Sequence, residues 1–340
     1  DLGSADLASP RRPGQRFDIR SFAMRGQLWE DPFFIQDLVG ALTIEGPGLT
    51  LAMESLELPS SVLHGDLALD WSGSGGVLTR IGGVAESLTL ADLHWLEPRL
   101  PHGTASGPFS LELNGDGVTL SFDGTRADSE FGQARATGAL TLGTEIGFDD
   151  LDLELAGVDL GILTPWVPDT LPLDGWLMGD LTLSGSLDTL SVSSDVTFLP
   201  PDSSGQAEVR VTGLLHLGEA LGSTDLSVTV APMDWRALRG VAPEFALQGP
   251  GSLRVEATGL LDQGLRVSAQ ATYTPEGLAP SRVTADGIVR RDSIQVFLEM
   301  VGELRPLSLT ALRRDVQDLP VTGELDGTVD IRGPLSDLGL

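Results

Sequence analysis

The sequence has no cysteine and no lysine; its 21 basic residues are all arginine. Without thiols there can be no disulfide and no cysteine-bound metal. Without lysine there can be no P-loop, whose lysine must reach the phosphates of a nucleotide. Aromatic residues are scarce, at 5% of the chain with a single tyrosine. Basic charge is also short: 49 Asp and Glu against 21 arginines leave a formal net charge of −28. A field of that sign repels phosphate backbones, which excludes nucleic acid as a partner, and it works against docking on an anionic membrane surface. No stretch approaches the roughly 20 apolar residues of a transmembrane helix, and no secretory leader is visible. The chain opens on Asp1 and stops just after a strand-like run, Thr328–Arg332. It reads as an excerpt of a longer protein, with a membrane anchor expected outside it.

Catalytic and metal-binding patterns are also missing. The four histidines, His64, His94, His102 and His216, show no H-E-x-x-H spacing. There is no G-x-S-x-G elbow and no G-x-G-x-x-G turn. One string, Glu112-x-Asn114-x-Asp116-Gly117 with Asp123 beyond it, approaches a calcium loop. Its flanks read as strands and its terminal acids are the wrong ones, so a hairpin turn is the simpler reading. No metal, cofactor or enzymatic activity is expected; the chain reads as a binding or scaffolding protein.

What the chain does have is glycine, 42 residues of it, and 21 prolines, spread evenly among Leu, Val, Ile and Ala. This is the composition of short strands broken by turns. Four glycines, Gly107, Gly179, Gly251 and Gly327, recur at intervals of 72, 72 and 76 residues. After each, the second and fourth positions are apolar: Phe109 and Leu111, Leu181 and Leu183, Leu253 and Val255, Val329 and Ile331. Polar residues lie between them, so each run is a strand with one dry face and one wet face. Upstream of each run, Asp92, Asp159, Asp234 and Ser308 stand where a helix N-cap would, and a proline follows each short apolar stripe.

The sequence therefore predicts an all-β, extended and repetitive antiparallel sheet with one short helix per repeat of about 72 residues. The expected boundaries are a linker over 1–16, a divergent β unit over 17–91, repeats over 92–158, 159–233 and 234–307, and a truncated further repeat over 308–340. About five strands per repeat, ~4.8 Å apart, would advance the sheet ~24 Å. The sequence leaves two readings of the dry face open. It is either the core of a closed sandwich or solenoid, or the wall of an open groove for an apolar ligand.

The segments LPLDGWLMGDLTLSGSLDTLSV (171–192) and LPVTGELDGTVDIRGPL (319–335) resemble the repeated strand motif of the AsmA-like family, its TamB branch in particular. The entry segment 22–69, with Gly26-Gln27-Leu28-Trp29-Glu30-Asp31-Pro32 and Leu58-Pro59, resembles the same family. The resemblance implies a taco-like open β-groove, anchored in the inner membrane and crossing the periplasm, that conducts phospholipid between inner and outer membranes. Phospholipid acyl chains are then the expected partners, lying along Phe109, Leu111, Leu181, Leu183, Leu253, Val255, Val329 and Ile331. Two alternatives stand beside it. One is outer-membrane protein assembly or autotransporter secretion with an Omp85-family outer-membrane barrel, and the other is a closed surface β-solenoid or adhesin.

Overall fold

The computed structural model describes residues 14–28, 31–72, 77–94, 100–114, 117–143, 145–164, 174–201, 205–218, 220–240, 247–292, 295–315 and 321–334. Strands account for 75% of it and helices for 6%. The strands are Gln15–Ile19 (β1), Met24–Leu28 (β2), Asp31–Ile35 (β3), Asp37–Glu45 (β4), Gly48–Glu57 (β5), Val62–Asp70 (β6) and Leu78–Thr89 (β7). They continue as Gly103–Asn114 (β8), Gly117–Ser129 (β9), Gly132–Gly143 (β10), Ile146–Asp159 (β11), Trp176–Ser186 (β12), Thr189–Leu199 (β13) and Ala207–His216 (β14). The last six are Gly222–Asp234 (β15), Pro250–Leu260 (β16), Leu265–Tyr273 (β17), Ser281–Asp292 (β18), Gln295–Ser308 (β19) and Glu324–Pro334 (β20). Eighteen of them form one antiparallel sheet that is not closed into a barrel, and β2 and β3 make a separate hairpin. The all-β, open antiparallel architecture is therefore present.

Contacts divide the chain into two compact units, Asp1–Glu130 with Ala136–Ile146, and Phe131–Arg135 with Gly147–Leu340. In the first, β1 pairs with β4 and the strands β4 to β9 follow one another as a meander. In the second, β11 to β20 do the same. Such neighbour-to-neighbour pairing follows from short turns between strands of matching length. The turn at Asn114–Gly117 belongs to the β8–β9 hairpin, in which Asn114 pairs with Gly117; Asp116 of the calcium-like string lies outside the described residues.

The repeat has four strands rather than five. Short helices at Leu90–Leu93, Leu160–Leu163, Trp235–Gly240 and Leu309–Asp315 follow β7, β11, β15 and β19. Four strands advance the sheet ~19 Å per repeat, not ~24 Å. The strands are longer than the sequence pattern suggested, because a glycine within a strand, such as Gly179, does not end it. The segment 17–91 follows the same plan. It has four regular strands, β4 to β7, and the β2–β3 hairpin stands at its entry where the later repeats carry a helix. Residues 1–13 of the expected linker lie outside the described residues, and its last two, Gln15 and Arg16, are already in β1.

Helix onsets follow residues 89, 159, 234 and 308, so the cap of the first helix lies three residues before the expected Asp92. The first two helices are single 3-10 turns, the third is a six-residue 3-10 helix, and the last, here α1, is α-helical. Backbone N–H groups at the helix starts tie them to neighbouring segments. The cap N–H donates back to the preceding connection: Thr89 to Ser61 Oγ (2.8 Å), Asp234 to the carbonyl of Gln206 (3.0 Å), Ser308 to Ser281 Oγ (2.9 Å). The first helical N–H donates forward to a glycine carbonyl at the head of the next strand. These bonds run from Leu160 to Gly175 (2.9 Å), Trp235 to Gly249 (2.9 Å) and Leu309 to Gly323 (2.8 Å). All three glycines hold φ between +107° and +128°, a region open to glycine and strained for other residues.

Candidate functional site

Antiparallel partners project to the same side of a sheet, so register assigns every side chain to a face. In the second unit one row runs through β12 to β16 as Leu181, Ser194, Val211, Val228 and Val255. It continues through β17 to β20 as Ala269, Ala285, Gly302 and Val329. A neighbouring row carries Leu183 at one end and Ile331 at the other. Leu253 lies one row away on the opposite side, level with Gly179 across β13 to β15. Six of the eight expected positions thus share one face.

Leu253 also shows that the glycine alignment slips by two residues in its third copy. The strand heads, residues 103, 176, 250 and 324, are 73 and then twice 74 residues apart. Gly251 is therefore not the counterpart of Gly179; Leu253 is. A slip of two keeps parity, so the face assignment survives it, whereas a slip of one would have reversed it.

The other two positions lie in the first unit. Leu111 belongs to a row that reads Phe17, Leu42, Leu51, Leu67, Ile81, Leu111 and Leu120 from β1 through β9. Phe109 stands between Gly83 and Phe122 in the next row, where its ring lies beside a strand residue that has no side chain.

These faces carry almost no charge. From β11 to β20 the first charged side chain in the apolar parity is Arg291, near the end of β18. The charge sits on the opposite face, where several arginines are paired. Arg210 donates to Asp195 on the adjacent strand (2.7 Å), Arg80 to Glu112 (2.8 Å) and Arg254 to Glu256 (2.7 Å). The Asp195 carboxylate holds the Arg210 guanidinium above its ordinary pKa, chiefly through that hydrogen bond.

Burial differs along the strands. At the end that meets the helices the apolar face is covered: Phe198, Ala207, Met233, Trp235, Ala237, Tyr273 and Ala311 form one buried cluster. Leu253 packs half-buried against this cluster. Away from that end, Leu181, Leu183 and Val255 are only half-buried, Ile331 likewise, and Val329 is exposed. Phe109 and Leu111 are half-buried as well. The helices therefore close one end of the face and leave its middle open. The sequence pattern identified the face, but not the helix cluster that seals one end, because Trp235, Ala237 and Ala311 follow the helical period rather than the strand period.

Among the described residues no group of three or more His, Asp or Glu could hold a metal, and no helix is long and apolar enough to cross a membrane. His64 takes part in a contact with the Glu54 carbonyl and lies 3.1 Å from Glu86 on the wet face; the carbonyl contact, more than the carboxylate, raises its pKa. His94 and His102 meet edge to face at 5.6 Å, where the first helix leads toward β8. No protein-family model, curated protein or solved structure matches this chain.

Proposed function

We propose that the chain is a segment of a periplasmic lipid conduit, in which the apolar sheet face guides phospholipid acyl chains between two membranes. The observation that carries this reading is the row from Leu181 to Val329: uncharged, register-continuous over nine strands, and half-exposed along its middle. A closed solenoid would bury such a row as core. An acyl chain needs no directional partner, only a dry wall, and each methylene buried against it contributes ~0.8 kcal/mol. Small residues at Ala269, Ala285 and Gly302 keep that wall low, so a chain can slide without meeting a deep pocket that would trap it. The charged opposite face keeps the sheet in water and discourages stacking of sheets. The resemblance of the strand repeats to the AsmA-like family supports the same reading, and the role is one of binding and guidance rather than catalysis.

Native mass spectrometry of the purified chain tests it. The expected spectrum shows phospholipid adducts that survive gentle desolvation and disappear after delipidation. A lipid-free spectrum from freshly purified protein, together with no uptake of added phospholipid, would reject the conduit.

A further inference from the structure

Arginine is sorted by face in the second unit. Arg210, Arg254, Arg266, Arg282, Arg290 and Arg332 alternate onto the charged side of the sheet. Arg291 does the opposite. Its strand partner is Val296, and its parity is that of Val283, Ala285, Gly287 and Val289. It therefore stands on the apolar face, at the end of β18 farthest from the helices. From β16 to β20, among the described residues, it is the one charged side chain that register places there. Arg291 is exposed, and among the described residues no carboxylate bonds its guanidinium. An arginine needed only for solubility would serve equally well on the wet face, with the other six.

The rim of the face at this end is fixed by its own backbone. The Leu217 N–H donates to the Leu187 carbonyl (2.8 Å), the Leu261 N–H to the Leu221 carbonyl (2.7 Å) and the Arg291 N–H to the Leu261 carbonyl (2.8 Å). These bonds staple the turns to one another and set the arginine beside turn leucines, of which Leu217 is 45% exposed and Leu221 37%. Inward from Arg291, β18 stays half-buried on this face as far as Val283. The next pair, Ser281 with Tyr273, is buried. At ~3.3 Å per residue the stretch from Arg291 to Val283 spans ~26 Å, and an acyl chain filling half of a bilayer's hydrocarbon layer needs only ~15 Å.

We propose that Arg291 is a headgroup site: its guanidinium takes the phosphate of a phospholipid whose acyl chain lies along β18 toward Val283. The proposal rests on the acyl-chain reading of the sheet face, and adds to it the chemistry of the head and the place where the head sits. A guanidinium binds phosphate through paired N–H donors. Its position supplies the rest. A cation at the boundary of a dry wall meets the phosphate where the hydrocarbon ends, so the head stays in water at the rim while the chain is buried. A neutral lipid with the same chains gains the wall but not the cation. The site therefore favours a phospholipid over a diacylglycerol.

Competitive lipid capture by the whole chain tests the proposal. The delipidated chain is immobilised and offered detergent micelles carrying equal amounts of radiolabelled dipalmitoyl phosphatidic acid and dipalmitoylglycerol, and the retained lipids are extracted and counted. Retention of the phosphatidic acid should be about tenfold greater, the order of one hydrogen-bonded ion at an exposed site. Arg291→Gln should abolish the preference without lowering diacylglycerol retention. Arg291→Lys, which keeps the charge but not the paired donors, should fall between. Arg290→Gln, on the other face of the same strand, should keep the full preference. All three variants alter exposed side chains and should keep the circular dichroism of the unaltered chain. An excess of inorganic phosphate, which has the anion but no chain, should leave the lipid in place. Equal retention of the two lipids by the unaltered chain would overturn the headgroup site and leave the apolar wall standing, whereas retention of neither would remove both. A preference that survives Arg291→Gln, a preference lost equally in Arg290→Gln, or displacement by inorganic phosphate would also overturn the site.

Discussion

Trp235 stands directly over Gly251: its indole Nε1 donates to the Thr272 carbonyl at 2.9 Å, and a Cβ on residue 251 would lie 2.1 Å from that same nitrogen. The missing side chain is what lets the helix close down on the sheet. Gly251→Ala should expel the indole and cost about 2 kcal/mol, as overpacking of a filled site does, read as a lower urea midpoint and a red-shifted tryptophan emission. Gly323 and Gly327 separate the other possible reasons for a glycine. Around each, nothing lies within 4 Å of an added Cβ, but Gly323 holds φ at +120° and Gly327 has no such angle. Gly323→Ala should cost about 1 kcal/mol by backbone strain alone. Gly327→Ala should be neutral or slightly stabilising, because it only restricts the unfolded chain.

Asp234 clamps a helix to the strand after it. Its carboxylate accepts from the Arg236 N–H (2.9 Å), the Arg236 guanidinium (2.6 Å) and the Gly249 N–H (3.1 Å). The Arg236 hydrogen bond, foremost, and those backbone donors lower its pKa from 3.8 to about 2. A carboxylate whose folded pKa is depressed stabilises the fold above its unfolded pKa. That contribution fades as pH falls through 3.8 towards 2. Asp234→Ala should therefore cost about 1 kcal/mol at pH 7, as loss of a cap does, and the gap to the unaltered chain should close near pH 2. Urea unfolding at the two pH values checks it; a gap independent of pH would assign the effect to packing.

The repeat plan also states where the chain can be cut. Removing residues 160–234 joins Asp159 to Trp235, so one N-cap aspartate takes the place of another and β11 meets β16 instead of β12. Four strands and one helix leave together. In a sheet whose repeats touch mainly their neighbours, the remainder should keep its β-sheet circular dichroism per residue and unfold cooperatively. A deletion longer or shorter by one residue should fail, because the strands beyond the junction would then be offered to β11 with their other face.

Leu181 and Leu183 lie on the half-buried middle of the sheet face, where a carboxylate can stay hydrated in the empty protein. Leu181→Asp with Leu183→Asp should leave the circular dichroism unchanged and lower phospholipid transfer between donor and acceptor vesicles at least tenfold. The block arises because a passing acyl chain would strip water from two ions. Normal transfer by a folded double variant would remove these positions from the lipid path. Unfolding of the variant would mark them as core.

Much of this protein is dictated locally. Period-two alternation around Leu181, Val255 and Val329 is a property of the chain itself, and it determines both the strand and the side of the sheet on which those residues fall. The caps at Asp159, Asp234 and Ser308 are likewise short-range, since their carboxylates and hydroxyl reach N–H groups two or three residues ahead. Strand number per repeat was not legible, because an interior glycine such as Gly179 and a turn glycine look alike in sequence. They differ only in whether a neighbouring backbone, here Asp195 and Val196, presses against the missing Cβ. The first helix was misplaced for a similar reason: Asp92 has the chemistry of a cap, but its carboxylate accepts from the Ser60 N–H and Ser61 Oγ, on a connection some thirty residues earlier. Whether the dry face is core or open wall was decided only by tertiary structure. Apolar parity says which way a side chain points, and only the elements folded over it, such as Trp235 above Gly251, determine whether anything covers it.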